Sequence, residues 1–231
     1  MFCKFFFRSI VFGALLCLGS LTVFAQKKVE RDVEFWPQYY IAISVDSTKW
    51  SVAADYSDRY SDFDKRVQWI GRVGLNYELN KLFTISAGYA YSEYFSGSSV
   101  RRENRPWQQI QAIHPFQCLK LNHRLRLEER FQKDQKGDKF NYRLRYQFMA
   151  QLPLMPKQKM YFFISDEPMI NFGGQVKGNI FDQNRLQAGV QIKVIDHFYI
   201  TPALQNTYQI QSNKVDYKSL TIWRTGITYK W

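Results

Sequence analysis

Between Phe35 and Trp231 the chain is built from segments about ten residues long in which apolar and polar residues alternate one for one. Trp50 to Asp58 sets Trp50, Val52, Ala54 and Tyr56 on one face. Val67 to Glu78 sets Val67, Trp69, Val73, Leu75 and Tyr77 against Gln68, Arg72, Asn76 and Glu78. After a turn at Leu79 to Lys81, the residues Phe83, Ile85, Ala87, Tyr89 and Tyr91 alternate with Thr84, Ser86, Gly88, Ala90 and Ser92. A period of two fits a β-strand with two unlike faces and does not fit a helix. The rhythm returns in Asn104 to Pro115, Leu121 to Gln132, Phe140 to Gln151, Met160 to Ile170, Asp182 to Val194, Phe198 to Ile210 and Ser219 to Trp231. Strands of this kind must each cover one face, which points to a sandwich or a barrel.

The opening residues MFCKFFFRSIVFGALLCLGSLTVFA decide between the two. Lys4 and Arg8 form a positive start, Ile10 to Leu18 an apolar stretch, and Val23-Phe24-Ala25 a small-residue cleavage site. The stretch is too short and wrongly flanked for a membrane anchor, so a secretory signal peptide cleaved after Ala25 is expected. A lipoprotein signal fails because Leu16, before Cys17, is not small. Residues 26–231 would then form a single domain in which Cys118 is the remaining cysteine, so a scaffold stapled by disulfides is excluded. No later apolar run approaches the roughly 20 residues of a membrane helix, and mean hydropathy is −0.40, yet aromatics make up 17% of the chain. Export, two-faced strands and many aromatics together predict an all-β fold: a transmembrane antiparallel up-and-down β-barrel in the outer membrane of a Gram-negative bacterium. A soluble periplasmic sandwich is the alternative.

The connections alternate in length, as short periplasmic turns and longer external loops do. Asp46 to Lys49, Leu79 to Lys81, Phe116 to Lys120 and Ile195 to His197 are short. Tyr60 to Arg66, Phe95 to Glu103, Lys133 to Lys139, Asn171 to Phe181 and Gln211 to Lys218 are longer and polar. Phe35 to Val45 brings the count to eleven, and an even strand number then requires either a reversal at Trp36-Pro37, with Lys28 to Phe35 as a short extra strand, or an N-terminal segment threaded through the lumen. About 12 strands are expected, with 10 as the alternative. The last strand ends in alternating aromatics, so Trp223, Ile227, Tyr229 and Trp231 are read as the signal for the barrel-assembly machinery.

Polar faces assign the lumen, because a Lys or Arg at the lipid midplane costs about 2–4 kcal/mol. That reasoning turns Arg72, Glu103, Arg105, Arg124, Arg126, Glu128, Arg130, Arg143, Arg145, Glu167, Arg185 and Lys193 inward. One reading is a packed ladder in which each ion is paired, since an unpaired buried charge is costly. The other is an Arg-rich pore or pocket that attracts a small anionic solute. An enzyme acting on membrane lipid would place a His and a Ser two residues apart on one strand face. His114, His123 and His197 lack that serine, which leaves only a pair made across strands. Three scattered histidines offer no metal-ligand cluster, and no cofactor is expected. The formal charge is +12, or +10 without the leader's Lys4 and Arg8. On alternating strand faces of an exported chain it suits outer-membrane lipid and lipopolysaccharide rather than nucleic acid.

The stretches RRENRPWQQ, LNHRLRLEERF, FNYRLRYQFMAQLPL, ISDEPMINF and FDQNRLQAGVQIKV resemble an uncharacterised family of Gram-negative outer-membrane barrels, domain of unknown function 2490. Glu103-Asn104-Arg105-Pro106-Trp107, Glu128 with Arg130, Asp166-Glu167 and Asn184-Arg185 carry the resemblance, which spans Phe35 to Trp231. It implies an outer-membrane barrel with no established activity. Pro168 departs from the pattern and is expected to end its strand's ladder early.

Overall fold

The computed structural model describes residues 28–135, 137–155 and 159–231; the expected leader, residues 1–25, lies outside the described residues. Among the described residues the chain forms eleven strands: β1 (Val29–Ser44), β2 (Trp50–Ser61), β3 (Lys65–Glu78), β4 (Phe83–Ser96), β5 (Ser99–Phe116), β6 (Leu119–Asp134), β7 (Gly137–Met155), β8 (Met160–Phe172), β9 (Phe181–Ile195), β10 (Phe198–Ile210) and β11 (Tyr217–Lys230). They follow one another around a closed all-β barrel with up-and-down, antiparallel neighbours. With an odd number of alternating strands the first and last run the same way, so the seam must be parallel. β1 and β11 pair without a break from Val29↔Tyr217 to Ala42↔Lys230. Trp231 extends the seam, donating its N–H to the Ala42 carbonyl and accepting from Ser44.

The sequence pattern counts eleven segments, which the expectation of an even number turns into about 12 or 10; among the described residues the structure keeps eleven, and the difference lies in β1. No reversal occurs at Trp36-Pro37 and no segment from Val29 onward threads the interior; Val29–Ser44 is one strand. Its proline is accommodated because a strand residue's N–H and C=O both point to the same neighbour. Pairing with β2 lapses between Phe35↔Tyr60 and Gln38↔Ser57, then resumes in register, while pairing with β11 continues through Pro37. The Ser57 hydroxyl donates to the stranded Pro37 carbonyl at 2.9 Å. Pro168 does not end β8 either. The β7 ladder skips from Phe148↔Asp166 to Arg145↔Met169, the β9 ladder keeps Pro168↔Asn184, and the strand runs on to Phe172. Pro106 and Pro202 leave one-sided gaps of the same kind.

Loop length separates the two ends less than the sequence suggests. The end with the longest connection, 173–180, the long-loop end, also carries 62–64, 97–98 and 211–216, because the strands run on into the expected loops at Tyr60 to Arg66 and Phe95 to Glu103. The other, the tight-turn end, carries Gln117-Cys118, Asp196-His197 and the five-residue connection 45–49. Outward positions carry large apolar side chains at high exposure, among them Val73, Leu186 and Trp223 at 51–53%. Aromatic side chains gather in two bands. Trp50 on Tyr77 (4.6 Å) and Phe198 on Tyr229 (4.9 Å) belong to the tight-turn end. Trp69 on Tyr91 (5.4 Å), Tyr142 on Phe172 (5.4 Å) and Tyr208 on Tyr217 (4.7 Å) belong to the long-loop end.

Inside, Gly74 and Gly88 face each other across β3 and β4 and seat the Trp107 indole of β5. A Cβ on Gly88 would stand 2.4 Å from Trp107 Cζ2 and 2.2 Å from the Val73 carbonyl oxygen, so the seat admits no side chain. Gly88→Ala is therefore expected to lower the unfolding free energy by about 1–3 kcal/mol through overpacking. Denaturation of the purified barrel measures it; a variant with the parent's midpoint would show that Trp107 is not held by this notch.

Candidate functional site

Alternation brings charged side chains from five adjacent strands into the barrel interior. β5 contributes Glu103 and Arg105; β6 contributes Arg124, Arg126, Glu128 and Arg130; β7 contributes Arg143 and Arg145; β8 contributes Glu167; β9 contributes Asp182. Glu103 is 0% exposed and Glu128 1%, and both are ion-paired. Arg130 donates Nε and Nη2 to the two oxygens of Glu103 at 2.6 and 3.0 Å, and Arg105 Nε donates to Glu103 at 3.0 Å. Arg105 also reaches Glu128 at 3.5 Å. Arg145 donates Nη1 to Glu128 at 2.7 Å and Nη2 to Glu167 at 2.9 Å, and Arg124 closes the row on Glu167 at 2.7 Å. The result is a chain of alternating sign: Arg130, Glu103, Arg105, Glu128, Arg145, Glu167, Arg124. Arg143 hangs from it, 3.9 Å from Glu128 and 2.7 Å from Asp182. Arg126 takes a neutral partner, donating to Gln109 Oε1 at 2.6 Å while covering the Trp107 ring at 4.4 Å.

Three residues of the expected set stand apart from this row. Arg72 pairs with Asp55 on β2 at 2.6 Å. Lys193 lies near the tight-turn end with Asp196. Arg185 registers opposite Glu167, whose oxygens are taken by Arg145 and Arg124, and has no carboxylate within 4.0 Å among the described residues. Trp223, Ile227, Tyr229 and Trp231 lie on or directly after β11, at the seam, with Trp223, Ile227 and Trp231 exposed.

Several interior residues escape sequence reasoning. Strict alternation from Gln183 would turn Asp182 outward, but a register shift opposite Met169 and Ile170 re-aims it at Arg143. Trp36 is 4% exposed, donates to Glu34 at 2.6 Å and packs with Leu220 and Ile222 on the wall facing the ion row. The Arg59 guanidinium lies 3.8 Å from its ring centroid. The alternation Glu34, Trp36, Gln38 and Tyr40 was present in the sequence, but Pro37 disguised it.

Two cavities flank the ion row. A cup of about 1180 Å³ at the long-loop end is lined by Trp36, Arg59, Arg130, Arg143 and Arg185, among others. A cavity of about 330 Å³ near the other end is lined by Gln38, Tyr40, Gln187, Arg224 and Lys230, among others. No residue lines both, and Trp107, Arg124, Arg126, Glu128, Arg145 and Glu167 line neither. On the outer wall, His123 stacks on His114 at 5.4 Å between centroids, and its Nδ1 lies 2.8 Å from the Tyr146 hydroxyl. Among the described residues no group of three His, Cys, Asp or Glu side chains is placed to hold a metal ion.

Comparison with curated proteins and with solved structures returns no match. A family model described as a protein of unknown function, DUF2490, matches residues 33–218. That span runs from β1 into β11 and takes in every member of the ion row. The match covers well over half of the sequence, and the chain belongs to the DUF2490 family.

Proposed function

We propose that this chain is an integral outer-membrane barrel, exported and freed of residues 1–25, whose lumen is closed by its ion row. It acts as a non-enzymatic structural barrel rather than an open channel. The observation that carries the reading is the ion row. Three carboxylates bridged by arginines from neighbouring strands stand between two cavities that share no lining residue, which supports a septum there. Membrane insertion is supported by the exposed apolar side chains between two aromatic bands, a surface a water-soluble chain would hide. Outward ion pairs Arg66–Asp58 and Arg102–Glu93 sit beside Tyr56, Trp69 and Tyr91 near the long-loop end, where lipid headgroups and lipopolysaccharide would meet them.

Fractionation should recover the protein in the outer membrane, with an intact mass that begins at Gln26. A soluble periplasmic product would sink the reading. Purified protein in planar bilayers should conduct little or no current; a steady anion-selective current would show an open lumen instead. Glu128→Ala takes from Arg145 and Arg105 the buried carboxylate they share, leaving each with one partner, Glu167 and Glu103, and should cost about 3–5 kcal/mol of stability in a denaturant titration. A variant as stable as the parent would mean that the row is not what holds the section closed.

Assembly should depend on the seam strand. Replacing Tyr229 and Trp231 with Ser is expected to lower the yield of heat-modifiable folded barrel and to raise periplasmic degradation. Unchanged yield would remove the recognition role of that ending.

A second reading, an enzyme acting on lipid, has one observation in its favour. The His114, His123 and Tyr146 cluster lies on the outer wall, with an imidazole in hydrogen-bond reach of a hydroxyl from another strand. Fatty-acid release from phospholipid, abolished by His123→Gln, would replace the structural reading with this one.

A further inference from the structure

The cup at the long-loop end is lined by ten basic and three acidic residues. Much of that positive charge is already neutralised. Arg105 and Arg130 are held by Glu103, Arg143 by Asp182, and Lys218 by Asp32 at 2.9 Å. Arg59 and Arg185 are not. Among the described residues neither has a carboxylate within 4.0 Å, and the Nε of each is buried without a hydrogen-bond partner. Both guanidinium groups lie within 5.5 Å of the Trp36 ring centroid, so the same indole neighbours both, and both line the cup. The Glu34 carboxylate, which accepts from the Trp36 indole N–H, lines the same cavity and offers Arg59 a counter-charge beyond ion-pair distance, one carboxylate for two guanidinium groups. Lys139, Lys177 and Lys214 stand higher in the same cavity.

A guanidinium stays charged at any physiological pH, and two of them at one cavity with a single carboxylate nearby favour a further anion. Resting on the reading of a closed lumen, we propose that the cup is a binding site for a phosphate-class oxyanion held between Arg59 and Arg185. Its tetrahedral oxygens can accept from two forks at once, which a single carboxylate does less well. The cup opens toward the long-loop end while the septum blocks the other side, so the phosphate arrives from the loop side. It comes either as a free solute or as the headgroup of a lipid.

The test uses the mature barrel purified in zwitterionic detergent, with folding confirmed by its heat-modifiable migration. Thermal unfolding is followed against inorganic phosphate and against chloride at matched ionic strength. A saturable rise in Tm with phosphate alone is expected, with apparent affinity weakened about tenfold or more in Arg59→Gln and in Arg185→Gln. Should Arg185→Gln not fold, Arg59→Gln and the rim variant Lys214→Gln carry the comparison. Micelles doped with phosphatidic acid, set against phosphatidylcholine alone, distinguish the sources. Stabilisation there without a response to inorganic phosphate assigns the group to a lipid headgroup. No stabilisation by either, or stabilisation undiminished in Arg59→Gln and Arg185→Gln, overturns the site. A conducting bilayer would refute the closed lumen separately, because the melts require only a folded barrel.

Discussion

A closed ring of backbone hydrogen bonds leaves each side chain two directions, out of the wall or into it. Everything else in this molecule follows from that restriction. Residues of one parity along a strand face outward and are apolar or aromatic; those of the other parity share a narrow interior. Five adjacent strands place four carboxylates and most of the arginines there, and the interior has too little room for each charge to keep its own water. The arrangement that remains is mutual pairing, in which Arg105 and Arg145 each serve two carboxylates. A planar guanidinium can do this because its donors point in fixed, divergent directions; the compact ammonium of a lysine has no such fork.

Much of this was legible in the sequence. Period-two alternation located β2 to β11 and put Arg124, Arg126, Glu128 and Arg130 on one face and Arg143 and Arg145 on another, because parity survives without knowledge of the partners. What failed were the places where parity or continuity is broken locally. Pro37 read as a barrier, whereas a proline removes pairing toward one neighbour only, and β1 passes through it. Asp182 read as outward until the register shift at the start of β9 turned it in. The pairings themselves were not readable. That Glu167 would be taken by Arg145 and Arg124, leaving the registered Arg185 without it, depends on reach across strands that a linear pattern does not contain.

The wall and the filling also depend on each other. Trp107 can lie flat against the inner surface only because Gly74 and Gly88 supply bare backbone opposite it. Lying there, it offers a π-face to Arg126, a cation whose other contacts are the amide oxygen of Gln109 and a 4.0 Å approach to Glu128. On the facing wall Trp36 does the same for Arg59. The two tryptophans thus accommodate guanidinium groups for which no close carboxylate is left.

The distribution of neutral partners extends that argument. The alternating row begins and ends on arginine, with four cations for three carboxylates, and Arg143 is balanced by Asp182. Further interior arginines are met by amides: Arg126 by Gln109, Arg59 by Gln68, and Arg224 by Gln38, Gln187 and Gln205. An amide oxygen satisfies a donor without cancelling its charge, so these contacts fix geometry and leave the field positive. Arg185 has neither carboxylate nor amide among the described residues and stands at the floor of the larger cavity. Uncompensated charge therefore stands on both sides of the ion row, Arg59 and Arg185 on the loop side and Arg224 and Lys230 on the other, and of these arginines Arg185 is the one without an amide partner. A barrel that only had to be filled could have placed a glutamine at that position, so an arginine there fits a cavity that expects an anion.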